Sequence, residues 1–345
     1  MPFQVTIKPS DHTFNVDDGE SVLSAALREG YVLPYGCRNG ACGACKGKVL
    51  DGEVDYGNIQ PYVLAEFEKK AGLALFCQAK PKSNLVIEAR EISGVGQLEV
   101  RKLPCRVQQM TRAAHDVMIL KLRLPANERL QFLAGQYIDI LLKQGKRRSY
   151  SMGNAPHDDA YIELHVRNMQ NGAFTDFAFN QMKEKDILRF EGPLGTFFLR
   201  EESDKPLIFV ASGTGFAPIK SIIEHSFHVD SQREMILYWG GRRPQDIYLG
   251  DLAAGWQDTH ENFSFVPVIS DALPEDHWHG RAGLVHRAVM QDFPDMTGYQ
   301  LYACGAPVMV EAAHRDFTAQ CALPEEEFFS DAFTPSVDSN AAAVS

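Results

Sequence analysis

The amino-acid sequence predicts a multidomain chain of α+β and α/β modules: a small leading module, an antiparallel β-barrel, and a parallel-sheet α/β module. Three observations carry this. The chain has 345 residues, long for one domain and ordinary for two or three. Its middle third reads as strands separated by turns, which suggests antiparallel closure. Its last third switches to strands alternating with helices, which implies a parallel sheet covered on both faces.

The elements follow in order. The leading module, residues 1–92, opens with an alternating strand carrying Phe3, Val5 and Ile7. A short helix over 21–28 is entered at Ser21 and closed by Gly30. A Gly/Cys-rich loop follows over 36–47, and a second alternating stretch at 85–88 ends the module. Residues 93–103 read as a linker, because 93–97 are small and flexible. The barrel module, 104–204, has strands at 117–124, 136–142, 148–152 and 161–167 and one helix over 174–182. The third module, 205–335, has strands at 207–211, 235–239, 263–269, 300–303 and 327–329. Residues 336–345 are small and polar and read as a disordered tail.

Composition removes several function classes. Hydrophobic residues make up 45% and charged residues 23%, as in globular chains. No apolar run reaches the ~18 residues that a membrane helix needs, and the opening residues show no signal peptide. A membrane partner is therefore not expected, and the cytoplasm is the expected address. The net charge is −11, and residues 205–345 hold 8 basic and 19 acidic side chains. Nucleic-acid binding needs a basic footprint, and none is visible. Seven cysteines, an odd count without an export signal, argue for metal binding or redox chemistry rather than a disulfide framework.

Cys37, Cys42 and Cys45 stand in Cys-x4-Cys-x2-Cys spacing, with Cys77 further on. That is the ligand pattern of a plant-type [2Fe–2S] cluster. The chemistry needs four thiolates and backbone N–H groups aimed at the sulfurs. Gly36, Gly40, Gly43 and Gly47 let the main chain approach. A structural zinc is the rival reading, but zinc sites usually show two Cys-x2-Cys pairs and here there is one. Through the stretch from Tyr35 to Cys45 the module resembles plant-type ferredoxins, which implies a β-grasp fold.

Arg148, Tyr150 and Ser151 lie on an expected barrel strand, flanked by Gly135-Gln136-Tyr137 and by Gly192-Pro193-Leu194-Gly195-Thr196-Phe197. Arg148 offers a fork of donors suited to a pyrophosphate. Gly172 and Thr175 open a helix, whose N-terminus favours phosphate, and Arg167 adds charge just before it. Gly213, Thr214 and Gly215 follow the strand at 207–211 and open another helix, so their N–H groups can meet a second pyrophosphate. Pro218 stands where the third glycine of the usual dinucleotide fingerprint would be. Together these motifs resemble the ferredoxin–NADP reductase superfamily over about residues 104–334.

The resemblance implies a barrel that binds FAD and an α/β module that binds NADH. Tyr150 would pack along the flavin and Ser151 would bond near its N5. Cys304 and Gly305, at the end of the strand over 300–303, would lie beside the nicotinamide. FMN is used by relatives that place the ferredoxin last; here it comes first, which favours FAD. Phe333 either covers the flavin or caps the core. Asp271, after the strand at 263–269, would repel a 2′-phosphate and favour NADH. Arg242 and Arg243 oppose this, either as a phosphate clasp or as solvated loop charges. The chain would be an NAD(P)H-dependent oxidoreductase that passes single electrons to a protein acceptor. Residues 136–139, 147–151, 163–167, 192–200 and 328–333 look most like reductases of 3,6-dideoxysugar synthesis, whose acceptor is a dehydratase. Reductases of multicomponent oxygenases share the module order, and a non-enzymatic redox sensor is a remote alternative.

Overall fold

The structure, a computed structural model, describes residues 2–60, 62–92, 98–170 and 172–334. The stretches 93–97 and 336–345, expected to be a flexible linker and a disordered tail, lie outside them. The chain divides into two compact units, Val100–Ala332 and the residues outside it.

The first unit alternates as its sequence dictates. In β1 (Phe3–Lys8) Val5 and Ile7 are fully buried while Gln4 and Thr6 are not, the period-two signature of a half-buried strand. β2 (Thr13–Val16) pairs antiparallel with it. α1 (Val22–Arg28) is capped by Ser21, whose Oγ accepts from Ser24 N at 3.2 Å. After the cysteine loop come β3 (Lys46–Asp51), β4 (Val54–Asp55), α2 (Glu66–Lys70), β5 (Leu73–Leu75), β6 (Lys80–Pro81) and β7 (Leu85–Glu88). The sheet order is β2-β1-β7-β3-β5, with β1 and β7 parallel.

The second unit begins with β8 (Arg101–Ala114), a long strand inside the stretch read as linker and barrel entry. Its charged residues lie on the unburied face between Leu103, Cys105 and Val107, which hid the strand in the sequence. β9 (Val117–Arg123), β10 (Tyr137–Leu141), β11 (Arg147–Ser151), β12 (Ile162–Arg167), α3 (Ala173–Asn180) and β13 (Ile187–Leu194) complete the barrel. The order is β11-β10-β13-β8-β9-β12, antiparallel throughout. A bridge between Met152 and Leu164 joins the two edges. The core is filled by Leu120, Leu122, Ile138, Ile140, Leu164 and Phe190.

β14 (Leu207–Ser212), α4 (Phe216–His228), β15 (Met235–Gly241), α5 (Gly250–Thr259), β16 (Phe263–Ile269), β17 (Arg281–Ala282), α6 (Val285–Asp292), β18 (Gln300–Gly305), α7 (Pro307–Gln320) and β19 (Phe328–Ala332) follow. They form a parallel sheet in the order β17-β16-β15-β14-β18-β19. β14 is buried on both faces over Leu207–Ala211, as the continuous apolar run requires.

A buried polar network joins the barrel to this sheet. Lys220 Nζ, on α4, donates to Gly153 O at 3.0 Å and Glu224 Oε2 at 2.9 Å, and lies 3.1 Å from Glu163 Oε1 on β12. Glu163 Oε1 also lies 3.0 Å from His165 Nε2, and His165 Nδ1 lies 2.7 Å from the Tyr248 hydroxyl. A carboxylate only accepts, so Nε2 carries the proton and Tyr248 donates to Nδ1. Ser221 Oγ adds a bond to Asn154 O at 2.7 Å.

Burial lowers the basicity of His165 despite the Glu163 contact. Burial pushes the Glu163 carboxyl up, but His165 and Lys220 outweigh it and leave it at about 2. Both groups bind protons more weakly folded than unfolded. Their contribution is therefore full at neutral pH and is lost as pH falls, through His165 below about 6.5 and then Glu163 below about 4.5. The thermal midpoint should decline from pH 6.5 to 5. In His165→Gln that decline should be shallower, by up to about 1.4 kcal/mol per pH unit for the single proton. Parallel pH profiles from thermal melts would reject this role for His165.

Candidate functional site

Cys37, Cys42 and Cys45 lie on the irregular loop between α1 and β3, and Cys77 follows β5. Gly40, at φ 77°, fits only without a side chain, since a Cβ would sit 2.6 Å from Asn58 O. Gln78 Nε2 donates to Arg38 O at 3.2 Å and holds the same turn. The sulfurs meet as two pairs, Cys37 with Cys42 and Cys45 with Cys77. Among the described residues no three ligating side chains converge on one point. Two thiol pairs suit a binuclear cluster, whose irons each take two protein sulfurs, better than one four-coordinate ion.

Backbone N–H groups point at these sulfurs. The Cys42 thiol, against burial and with help from the N–H groups of Asn39, Ala41 and Cys42, draws the Cys37 thiol down to about 6. The Cys45 thiol lowers Cys77, which also receives the Gly40 N–H. Cys42 and Cys45 are pushed up as the thiol partners. In each pair one thiol is thus eased toward the thiolate by its neighbour and by backbone N–H groups, a hydrogen-bonded setting of the kind an iron–sulfur cluster requires.

In the barrel, β10 and β11 pair with Ile140 opposite Arg148, Ile138 opposite Tyr150 and Tyr137 opposite Ser151. Alternation puts Arg148 and Tyr150 on one face. The Tyr150 ring lies 5.3 Å from that of Phe174, in the first turn of α3. Ser149, on the other face, donates to Asp139 Oδ1 at 2.6 Å. Ser151 Oγ is buried with no hydrogen-bond partner. An unmet buried hydroxyl costs about 1–3 kcal/mol, and a flavin edge supplies such a partner, so these residues fit the group. Thr175 faces inward: its Oγ1 lies 2.9 Å from Gly172 O and 3.1 Å from Met169 O, both within reach of its single proton. It shapes the helix entrance with its hydroxyl and leaves the first-turn N–H groups as the donors. Arg167 Nε bonds Asp116 Oδ2 at 2.8 Å, and its Nη1 lies 2.9 Å from where a Gly213 Cβ would stand. It therefore reaches the glycine turn of the parallel-sheet module from the barrel.

That turn, Gly213–Gly215, passes directly from β14 into α4. Gly215 is pressed against β18, where a Cβ would lie 2.1 Å from Cys304 O. Thr214 is buried. Pro218 is accommodated because it stands in the first turn of α4, where its missing N–H has no intrahelical partner. Cys304 pairs in register with Ala211 and Asp331, and complete burial pushes its thiol up. Gly305 leads to Ala306, whose N donates to Ser212 Oγ at 2.9 Å. Trp239 Nε1 donates to Gly213 O at 3.2 Å, and its ring stacks on Phe216 at 3.9 Å. Asp271 N donates to Arg242 O at 2.9 Å, and Ser270 Oγ to Asp271 Oδ2 at 2.9 Å. Phe333 is half-buried and falls outside the unit Val100–Ala332.

Sequence reasoning missed Trp239 and the Glu163–His165–Lys220–Tyr248 network. The available signal was a set of polar residues on apolar faces: Glu163 and His165 two apart on β12, and Lys220 among Phe216, Ile219 and Ile223 on α4.

Comparisons with known proteins match each module to a domain family. Residues 5–82 match a 2Fe-2S iron-sulfur cluster binding domain, 104–199 an oxidoreductase FAD-binding domain, and 209–315 an oxidoreductase NAD-binding domain. The CDP-6-deoxy-L-threo-D-glycero-4-hexulose-3-dehydrase reductase of Yersinia pseudotuberculosis is 40% identical, over 97% of this chain and 100% of its own. The reductase component 1 of terephthalate 1,2-dioxygenase from a Comamonas species is 36% identical, over 97% and 98%. The crystal structure of an Amycolatopsis cytochrome P450 reductase superposes with a TM-score of 0.78 at 33% identity, over 96% and 99%.

Replacing Gly215 by Ala must move β18 or the turn. NADH-driven flavin reduction should fall about tenfold or more, while dithionite reduces the flavin as in the parent. Unchanged stopped-flow reduction by NADH would refute the steric argument.

Proposed function

The chain belongs to the iron–sulfur flavoprotein reductases that join a [2Fe–2S] domain to FAD- and NAD-binding domains, and from that premise we propose that its acceptor is the dehydratase of 3,6-dideoxysugar synthesis. The observation that carries this is the 40% identity to the Yersinia hexulose-dehydrase reductase across essentially both whole chains. The second reading, a multicomponent oxygenase as acceptor, is favoured by the 36% identity to the terephthalate dioxygenase reductase. The proposed compartment is the cytoplasm, where thiols stay reduced. Among the described residues no helix is long and apolar enough to cross a membrane.

When bound, FAD accepts hydride from NADH and converts two-electron into one-electron chemistry, and the cluster carries single electrons onward. The chain's own residues hold and orient. Cys37, Cys42, Cys45 and Cys77 would ligate the cluster. Arg148 would grip the flavin pyrophosphate, Tyr150 pack along the ring, and Ser151 give its free hydroxyl a partner at the flavin edge. The first turn of α3, entered at Gly172 and shaped by Thr175, would face the phosphates, with Arg167 bridging to the next site. Gly213, Thr214 and Gly215 would present N–H groups to the second pyrophosphate. Cys304 and Gly305 would set the depth at which the nicotinamide lies, and Phe333 would either cover the flavin or cap the core.

With purified acceptors of both classes, NADH-driven reduction should be about tenfold or more faster with the dehydratase. In Cys42→Ser the transfer to either protein should be lost while a two-electron dye is still reduced. Faster turnover with the oxygenase would overturn the acceptor assignment. Undiminished protein reduction in Cys42→Ser would overturn the ligand assignment.

NADH should be preferred over NADPH, because Asp271 places an acidic side chain beside the arginine loop where a 2′-phosphate would lie. A kcat/KM greater for NADPH than for NADH would contradict this.

A further inference from the structure

The two arginines after β15 sit at the carboxyl edge of the parallel sheet. In an open α/β sheet, dinucleotides bind outside that edge, with the adenosine ribose near the strand next to the glycine turn. An arginine there is the usual receptor for a 2′-phosphate, because its fork matches phosphate oxygens. Arg243 has that fork already engaged. Its Nε donates to Asp276 Oδ2 at 2.6 Å and its Nη2 to Asp276 Oδ1 at 2.7 Å. Glu275 Oε1 stands 3.7 Å from the same Nη2.

Asp276 is itself fixed. It ends the turn Pro274–Asp276, and its Oδ2 also accepts from Leu273 N at 2.8 Å. Its side chain is 15% exposed, against 67% for Glu275, so of the two acids it is the one built into the junction. The backbones are stitched alongside: Ser270 N donates to Gly241 O at 3.0 Å and Asp271 N to Arg242 O at 2.9 Å. The arginine loop and the acidic loop therefore form one unit, in which the arginine's fork is filled by a carboxylate.

We propose that Asp276 is a specificity-determining residue: by holding Arg243 in a two-pronged ion pair, it withholds the arginine from a 2′-phosphate and keeps the enzyme selective for NADH. The inference rests on the NADH reading above and assigns its cause. Asp271 acts by repulsion at the ribose, whereas Asp276 acts through Arg243.

The test uses the holoenzyme and the pair Asp276→Asn and Asp276→Asn/Arg243→Ala. Asparagine keeps an acceptor for Leu273 N but drops the charge that binds the fork. The NADPH/NADH ratio of kcat/KM should rise about tenfold in the single variant and return toward the parent value in the double. Binding of 2′,5′-ADP should tighten in the single variant, with 5′-ADP as the reference. Should Asp276→Asn lose its flavin, Asp276→Ser, which also retains an oxygen acceptor, is measured instead. An unchanged ratio in a parent that prefers NADH overturns this inference alone. A gain that persists without Arg243 does the same. A parent that prefers NADPH overturns both this inference and the reading beneath it.

Discussion

Glu163 is the buried charge on which the junction between the barrel and the nucleotide-binding sheet depends. Its carboxylate faces Lys220 from α4 and His165 from its own strand, and the His165 ring passes the chain of bonds on to Tyr248. Removing one member of such a set strands an uncompensated charge and costs about 3–5 kcal/mol. Replacing all members together by well-packed apolar side chains, by contrast, can be neutral. What the network contributes is therefore register: Lys220 uses its three donors on Gly153, Glu163 and Glu224, and a slip by one residue would lose them together.

The register matters because Gly153 lies two residues beyond Ser151. The carbonyl that receives Lys220 is thus tied to the strand end that carries the unmatched hydroxyl. From the other side, Phe216 begins the helix that bears Lys220 and stacks on Trp239, whose indole holds Gly213 O. The strand that ends at Ser151 and the glycine turn are consequently fixed to one small polar cluster. Hydride transfer needs atoms held roughly 3–3.5 Å apart, and loops joined only by apolar contact would not define that spacing.

The readable part of the sequence was local. Cysteine spacing, the glycine turn and the strand–helix alternation are set by neighbours in the chain, so they survive without coordinates. β8 escaped because its charged residues alternate with Leu103, Cys105 and Val107 and blur the apolar pattern. The inward turn of Thr175 escaped because a hydroxyl beside a helix start reads equally as a phosphate donor or a cap. Lys220 and Glu163 are 57 positions apart, and Arg243 and Asp276 are 33 apart. No periodicity links such partners, and each looks alone like a solvated charge.

That limit bears on the cofactor choice in particular. Two adjacent arginines after the second strand of a nucleotide-binding sheet carry the same sequence signal whether they hold a phosphate or are held by the protein. The difference lies in where their donors point, which is set by a turn 33 residues later. Net charge cannot decide it, since charges beyond about 8 Å are screened at physiological salt. A pair at 2.6 and 2.7 Å is within that range and engages the planar fork on both prongs. On the proposal made above, selectivity between two cofactors that differ by one phosphate turns on contacts at this loop, the occupied fork of Arg243 and the nearby Asp271, and distant surface acidity adds little to it.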